Sequence, residues 1–498
     1  MFSTQPDRLA RPCLASGVDA RTRLRSAALL ALLLALAGCK TRAVETIAGP
    51  NADVSVALVN PTTCSACDPF AGVSTLRVDI VDPGTADVLY TDSFPWPGGV
   101  PALPDLTGFG VVRVEMYGLA GNRVVSAGRT APFAVKPEKP VTLPMLFLPA
   151  NQAVPLTGDL YAERSRHVSF TRPDGRVALL GGVDPRGTSR FNSVELFDPA
   201  TFTFSLDTTL AAAPVFPAVT TDVDGDLLLV GGESAGGSRE TTTFVYSVEG
   251  EGAQGVATPQ QELPEPRSRG CVARVDQKGV VMGGASGDVL FEVMRFGADT
   301  WEFTRAQTAG LDDAAVQGCI GLEDGRIFVL GDEGGQTGFF YFNTDETLGF
   351  DAIASGHGDQ FVSGATLALL GNGHVWEVGG ATSNGAARAQ TWDFRPEEAS
   401  FSVSTELMTP RIRPDVAPWI VPDTEAVGCG WTESGLAQGT GTVEIVGLDG
   451  SAGVVVQLDR ERPGCGMSVL PDGSLLVTGG FDVNDSGQLG AVVIVPAI

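Results

Sequence analysis

Cysteine, histidine and clustered aspartate are the residues of this chain whose chemistry could amount to more than packing. The eight cysteines are Cys13, Cys39, Cys64, Cys67, Cys271, Cys319, Cys429 and Cys465. Cys64-Ser-Ala-Cys67 has the spacing of a dithiol redox centre, whose reactive thiolate usually sits at a helix N-terminus. Asp68-Pro69 follows it at once and no helical period surrounds it, so a local disulfide stapling a loop is expected instead. The three histidines are His167, His357 and His374; the spacing of the repeat described below sets them apart, so they should not meet on one metal. Asp222-Val-Asp-Gly-Asp226 and Asp482-Val-Asn-Asp-Ser-Gly487 have the oxygen density of calcium loops. Neither has the downstream bidentate glutamate, and both read as acidic turns. No metal, no cofactor and no catalytic set is expected.

The N-terminal segment decides the compartment of these cysteines. Arg21, Arg23 and Arg25 precede the apolar run Ala27–Ala37, the order of an export signal. The run is shorter than the about 20 residues of a spanning helix. It closes in Leu36-Ala-Gly-Cys39, which resembles the lipobox of bacterial lipoproteins. The resemblance implies cleavage between Gly38 and Cys39, diacylation of the Cys39 sulfur, and a lipid bilayer as the first partner. Two acyl chains hold stably, since each buried CH₂ contributes about 0.8 kcal/mol. Lys40, where that family uses aspartate for inner-membrane retention, implies the outer membrane or cell surface. Residues 1–38 thus read as signal peptide and 39–50 as a lipidated tether. Their cleavage removes five arginines and two aspartates, moving net charge from -26 to -29. So acidic a chain repels nucleic acid, which is excluded as a partner.

Beyond an export signal, the even set Cys64, Cys67, Cys271, Cys319, Cys429 and Cys465 is expected in disulfides. The elements holding them are strands. The chain of 498 residues is 43% apolar and 18% charged, with 63 glycines and 32 prolines, a composition that suits short strands and many turns. Over 51–149, Val54, Val56 and Leu58 alternate with other residues, as do Leu76, Val78 and Ile80, and Val112, Val114 and Met116. Period-two alternation broken by turn signals predicts an Ig-like β-sandwich. A piece of the chain beginning at Asn151 is expected to fold without it.

From about residue 150 one pattern recurs: an Asp-Gly turn, an apolar run and a glycine pair, as in Pro173-Asp-Gly-Arg-Val-Ala-Leu-Leu-Gly-Gly182 and Pro471-Asp-Gly-Ser-Leu-Leu-Val-Thr-Gly-Gly480. The ruler position falls at 182, 232, 284, 332, 380, 430 and 480, with Asp332 and Cys429-Gly430 as imperfect copies. A continuous apolar run suits a strand covered on both faces, and a period near 50 is that of kelch blades. Downstream come aromatic and Asp/Asn turn elements: Leu196-Phe-Asp-Pro-Ala-Thr-Phe-Thr-Phe204, Phe296-Gly-Ala-Asp-Thr-Trp301 and Trp392-Asp-Phe-Arg-Pro396. Residues 150–498 therefore resemble kelch-repeat and galactose-oxidase-type β-propellers. The fold expected is all-β: a seven-bladed propeller (six to eight blades fit) behind the sandwich. The segment Val154–Leu160 is expected to complete the last blade beside Val492–Val495, hiding two open edges.

Repeat phase puts Cys271, Cys319 and Cys465 on innermost strands and Cys429 at a glycine-pair position. Cys271–Cys319 with Cys429–Cys465 is the most local of three connectivities, all of which stay open. His167 falls on an inner strand, His374 after a turn at the other end, and His357 between blades. Tyrosines 90, 117, 161, 246 and 341 match no copper-ligand position of the oxidase family. Arg164-Ser-Arg-His167, Arg267-Ser-Arg-Gly-Cys271 and Arg462-Pro-Gly-Cys465 start strands alike. Their arginines are expected to bond loop carbonyls of the next blade, a ligand site in the channel being the alternative.

The functional expectation is a lipid-anchored cell-envelope protein, not an enzyme, whose propeller loops bind a protein or a glycan. An adhesion or envelope-structural role is the alternative, and an oxidoreductase or glycan-acting enzyme the third.

Overall fold

The computed structural model describes residues 42–498 apart from 49–53, 63, 99–102, 107, 136–140, 223, 235–236, 249–252, 285–290, 296–302, 307–315, 332–336, 343–347, 354–362, 383, 421–422, 434–437, 449–452, 482–488 and 498. Gly38, Cys39, His357, Phe296–Trp301 and the Asp482 loop lie outside the described residues. Among the described residues there is no helix, and the strands form many small sheets that are almost wholly antiparallel.

Two sheets make the N-terminal part. Arg42–Ala48, Val54–Asn60 and Val141–Leu146 form one, the last two strands running parallel. Val88–Pro95, Thr75–Val81, Val111–Ala120, Arg123–Arg129 and Leu148–Pro149 form the other, in that spatial order, with the short strand Phe133–Ala134 pairing Val111–Ala120 off this path. The alternating residues Val56, Leu58, Val78, Ile80, Val114 and Met116 are all buried in the core between them. One expectation changes here. The supposed tether 39–50 contains a strand, Arg42–Ala48, paired with Val54–Asn60. Its β-branched Val44, Thr46 and Ile47 favour extended backbone, and the pairing occupies the main-chain groups of an otherwise open edge.

Among the described residues seven four-stranded antiparallel sheets follow. The first comprises Val168–Thr171, Val177–Leu180, Ser193–Asp198 and Thr203–Thr209. Its second strand is buried at all four residues, because its two faces enter different cores. Val177 and Leu179 join the cluster shared with Phe197 and Val493, while Ala178 and Leu180 pack with Leu227 and Phe244 of the second sheet. Burial of each leucine contributes about 1.5–3 kcal/mol. The strand ends at Gly181 and Gly182, with φ of 67° and 90°, where L side chains are strained. There is no room either: a Cβ on Gly181 would lie 2.6 Å from the carbonyl oxygen of Pro214.

Each sheet touches its successor. Arg274 of the third donates to the Asp222 carbonyl of the second at 2.8 Å, Thr366 of the fifth to the Pro414 carbonyl at 2.6 Å, and the Met467 N–H of the seventh to Asp415 of the sixth at 2.7 Å. The seventh also meets the first, where Ser468 and Ser169 hydroxyls lie 2.7 Å apart. That seventh sheet has the order Ala153–Pro155, Val492–Ile494, Leu475–Gly479, Cys465–Val469. Its outer strand thus comes from the start of the array and overlaps the start of the segment expected to supply it, and Leu156 and Leu160 pack just behind.

The sandwich is no detached neighbour. Tyr117, Ala127, Leu146 and Leu148 share one hydrophobic cluster with Val154, Leu179, Phe197 and Val493. Arg129, buried, donates to the Pro496 carbonyl at 3.2 Å. A common core ties together what the alternation pattern alone presented as two separable parts.

Candidate functional site

The first strands of all seven sheets line one cavity of about 460 Å³. They are Val168–Thr171, Ala218–Thr221, Cys271–Val275, Val316–Gly321, Ser363–Leu369, Asp415–Pro418 and Cys465–Val469. Just ahead of these strands stand Arg166, Phe216, Arg269 and Arg413, with φ of 57°, 52°, 58° and 50°. Gly364 and Gly464 occupy the same position in the fifth and seventh sheets, at 72° and 65°; the fourth sheet has no left-handed residue at the start of Val316–Gly321. Main-chain bonds run from sheet to sheet through this position: Arg166 N–H to Gly464 O at 2.7 Å, Arg269 N–H to Phe216 O at 3.3 Å, Arg413 N–H to Gly364 O at 2.7 Å. Holding a non-glycine residue left-handed costs about 1–2 kcal/mol, and such strain concentrates at functional sites.

Three of these residues close an Arg-x-Arg step: Arg164 with Arg166, Arg267 with Arg269, Arg411 with Arg413. The first arginine of each step is a buried staple. Arg164 donates to Gly181 O at 2.8 Å and pairs with Glu195, and Arg267 donates to Gly283 O at 2.7 Å. Arg411 pairs with Glu444 at 2.9 Å, and Arg462, which lacks the second arginine, donates to Gly479 O at 3.1 Å. The guanidiniums of Arg164, Arg267 and Arg462 serve the glycine pair or third strand of the sheet they precede, not the next blade's loop as the sequence suggested, while Arg411, the last residue of the fifth sheet's outer strand, reaches the third strand of the sixth. The main-chain carbonyl makes the link between sheets, Arg164 O accepting from Gly480 N–H at 2.9 Å and Arg267 O from Gly232 N–H at 2.8 Å.

The second arginines converge at the mouth instead. The guanidiniums of Arg166, Arg269 and Arg413 lie 5.2, 4.8 and 5.6 Å from the centre of the Phe216 ring, within cation–π range. Arg166 is also 6.0 Å from the Trp431 ring. Arg269 has a carboxylate partner, Glu233, at 2.7 Å. Burial, then repulsion from Arg269, pushes Arg413 down to about 10. Burial and the same arginine also lower Arg166.

The cysteines expected to be paired are so: Cys64–Cys67, Cys271–Cys319 and Cys429–Cys465, with Cα separations of 5.3, 5.7 and 5.0 Å. The last four all line the cavity, so two disulfides stitch its wall. His167 lines it too, its Nε2 3.0 Å from Thr478 Oγ1. Burial pushes it down to about 3, which keeps it neutral. His374 sits at a turn, 3.0 Å from Asp393. Asp222 caps its own turn, accepting from the N–H groups of Asp224 and Asp226 at 2.9 Å each. No group of three metal-ligating side chains occurs among the described residues.

Asp415 gives the cavity wall a pH dependence. Burial pushes its carboxyl up to about 6, against hydrogen bonds from Met467 and Val416 N–H groups that pull it down. The folded chain therefore holds this proton more tightly than the unfolded chain, whose aspartates titrate near 3.9. The resulting stabilisation is complete below about pH 4 and lost as pH rises through about 6. Asp415→Asn should match the wild-type melting temperature near pH 4 and exceed it at pH 7.5. A mutant-minus-wild-type difference that is flat across this range would count against the assignment.

The chain matches no profile of a known protein family, and no curated protein is similar enough in sequence to serve as a relative. The reading of function rests on the cavity and on the N-terminal segment.

Proposed function

We propose that this is a lipid-anchored cell-envelope protein in which the seven sheets are blades of a kelch-type β-propeller and the cavity receives a ligand. The ligand is a protein segment or a glycan. The cavity carries the reading: seven first strands contribute to one concave space of small-molecule size, and such convergent concavities are where folds bind. The contacts from each sheet to its successor, and from seventh to first, support the propeller assignment. The connections after the glycine pairs stand at the arginine-bearing end, where Glu233 meets Arg269 and Val183 bridges to Ser165. Variable loops around a rigid frame are suited to recognition.

Two experiments test the two halves. Cys39→Ala should move the protein from the membrane to the soluble fraction; unchanged fractionation with no acyl mass on the N-terminal peptide rules out the anchor. Val219 is 40% exposed and lines the cavity, so Val219→Trp should fill it with little strain. On a glycan and peptide array, ligands of the wild-type chain should be lost by this variant. Binding that survives it locates the ligand elsewhere.

A further inference from the structure

Among the described residues the mouth of the cavity gathers three arginines and one carboxylate, Glu233. In a chain with net charge -26, three guanidiniums within 5.6 Å of one ring centre are costly, since like charges repel and burial strips their water. Among the described residues the side chains of Arg166 and Arg413 hydrogen-bond to no protein group, and the Arg166 Nε is buried without a partner. Glu233 is engaged by Arg269 through its carboxylate and by Arg190 through its main-chain carbonyl. The indole N–H of Trp431, on the same wall, is also buried without a partner. By contrast Arg164 and Arg411, two residues upstream of these arginines, are paired with Glu195 and Glu444. The chain therefore gives the staple arginines Arg164 and Arg411 a carboxylate each, whereas Arg166 and Arg413 share the influence of Glu233, which is bonded to Arg269. All three are held in left-handed backbone, where two sister sheets use glycine.

We propose that the cavity binds a small carboxylate-bearing ligand, its carboxylate held at the mouth by Arg166, Arg269 and Arg413 and its uncharged body among Ser169, Gln317 and Thr366. This rests on the reading of the cavity as a ligand site and narrows it to a chemical class. Guanidinium suits a carboxylate because its planar fork can donate two parallel hydrogen bonds. Phe216 keeps the three forks apart while accepting their charge on its face. A uronic acid and a free organic acid share this chemistry, and the experiment separates them.

The test is titration of the mature chain with glucuronate, citrate and glucose, read by calorimetry and by melting temperature. Glucuronate or citrate should bind and glucose should not; glucuronate alone points to a uronic acid, citrate alone to a free organic acid. Arg269→Gln, at the most exposed of the three arginines, should weaken the acid about tenfold to a hundredfold, the worth of one charge-assisted hydrogen bond. Arg413→Met should abolish the acid-induced shift while raising the melting temperature of the ligand-free chain, because it removes a charge that burial and Arg269 disfavour and whose one nearby carboxylate, Glu233, is already paired with Arg269. An arginine present only for structure would lower that temperature. Equal binding of glucose and glucuronate, or binding unchanged in Arg269→Gln, overturns the proposal. An acidic peptide that binds where neither small acid does overturns it too, in favour of a macromolecular partner. If Val219→Trp blocks a ligand that the arginine variants still hold, the cavity remains the site and only the carboxylate assignment falls.

Discussion

A chain that begins at Arg164 should lose its single sharp unfolding transition or aggregate. Such a chain lacks Ala153–Pro155, the outer strand of the seventh sheet, and leaves the edge of Val492–Ile494 unpaired. An open apolar edge is a template for association. Val154 is fully buried, and Leu156 and Leu160 pack in the cluster that also holds Val177 and Val493. Truncation therefore uncovers the first and seventh sheets together. A chain beginning at Asn151 keeps the strand but loses Tyr117, Ala127, Leu146 and Leu148 from the same cluster, and should unfold cooperatively at a lower temperature than the full chain. Val154→Asp in the full chain isolates the strand from the sandwich: burying a carboxylate there should depress the melting temperature as well. Equal melting temperature and sharpness for the Arg164 and Asn151 starts would show that the strand does not hold the ends of the array together.

Glu195→Ala should destabilise the folded chain by about 3–5 kcal/mol, the range for breaking a buried ion pair from one side. Glu195 and Arg164 are both fully buried. The Glu195 carboxylate also accepts the N–H groups of Tyr161 and Ala162 at 2.8 and 3.0 Å. Alanine would strand a guanidinium and two amides at once, leaving Arg164 only its bonds to the Ser193 side chain and to nearby carbonyls such as Gly181 O. Replacing both partners by apolar residues, Arg164→Met with Glu195→Leu, should cost less than Glu195→Ala alone, because no charge is left buried. Glu444 repeats the arrangement in the sixth sheet, accepting from Met408 and Thr409 N–H groups and from Arg411. Glu444→Ala should therefore match Glu195→Ala in urea unfolding midpoint. A shift under about 0.5 kcal/mol, ordinary for surface positions, would mean that these staples are not the joints between strands that their geometry makes them.

The sheets were legible in the sequence because one constraint repeats. Where a strand is covered on both faces it must be apolar throughout, and where the next connection crosses its end it must be glycine; Val177–Gly182 meets both demands. The outer strand from Ala153–Pro155 was legible for a related reason, an unpaired edge needing a partner. The strand at Arg42–Ala48 was not legible because its pattern is short and lies directly after the Leu36-Ala-Gly-Cys39 segment, whose resemblance to a lipobox implies a tether there. The shared core under the sandwich was not legible, since alternation says that one face of a strand is buried but not against what. Of the site, the cysteine partners and the inner place of His167 came from phase along the repeat. The arginine mouth did not. Arg164-Ser-Arg166 and Arg267-Ser-Arg269 were visible as like strand starts, but Arg411-Ile-Arg413 was not set beside them. Nor does spacing reveal that a left-handed residue sends one arginine of each step to the rim while its neighbour two residues back is buried as a staple.

The most direct measurement is a crystal structure of the chain soaked with glucuronate and, separately, with citrate. Bound acid is expected in the cavity between the first strands, with its carboxylate against Arg166, Arg269 and Arg413. Density confined to the outer strands or to the sandwich, with the cavity unaltered, would contradict the claim that this cavity is where the protein binds.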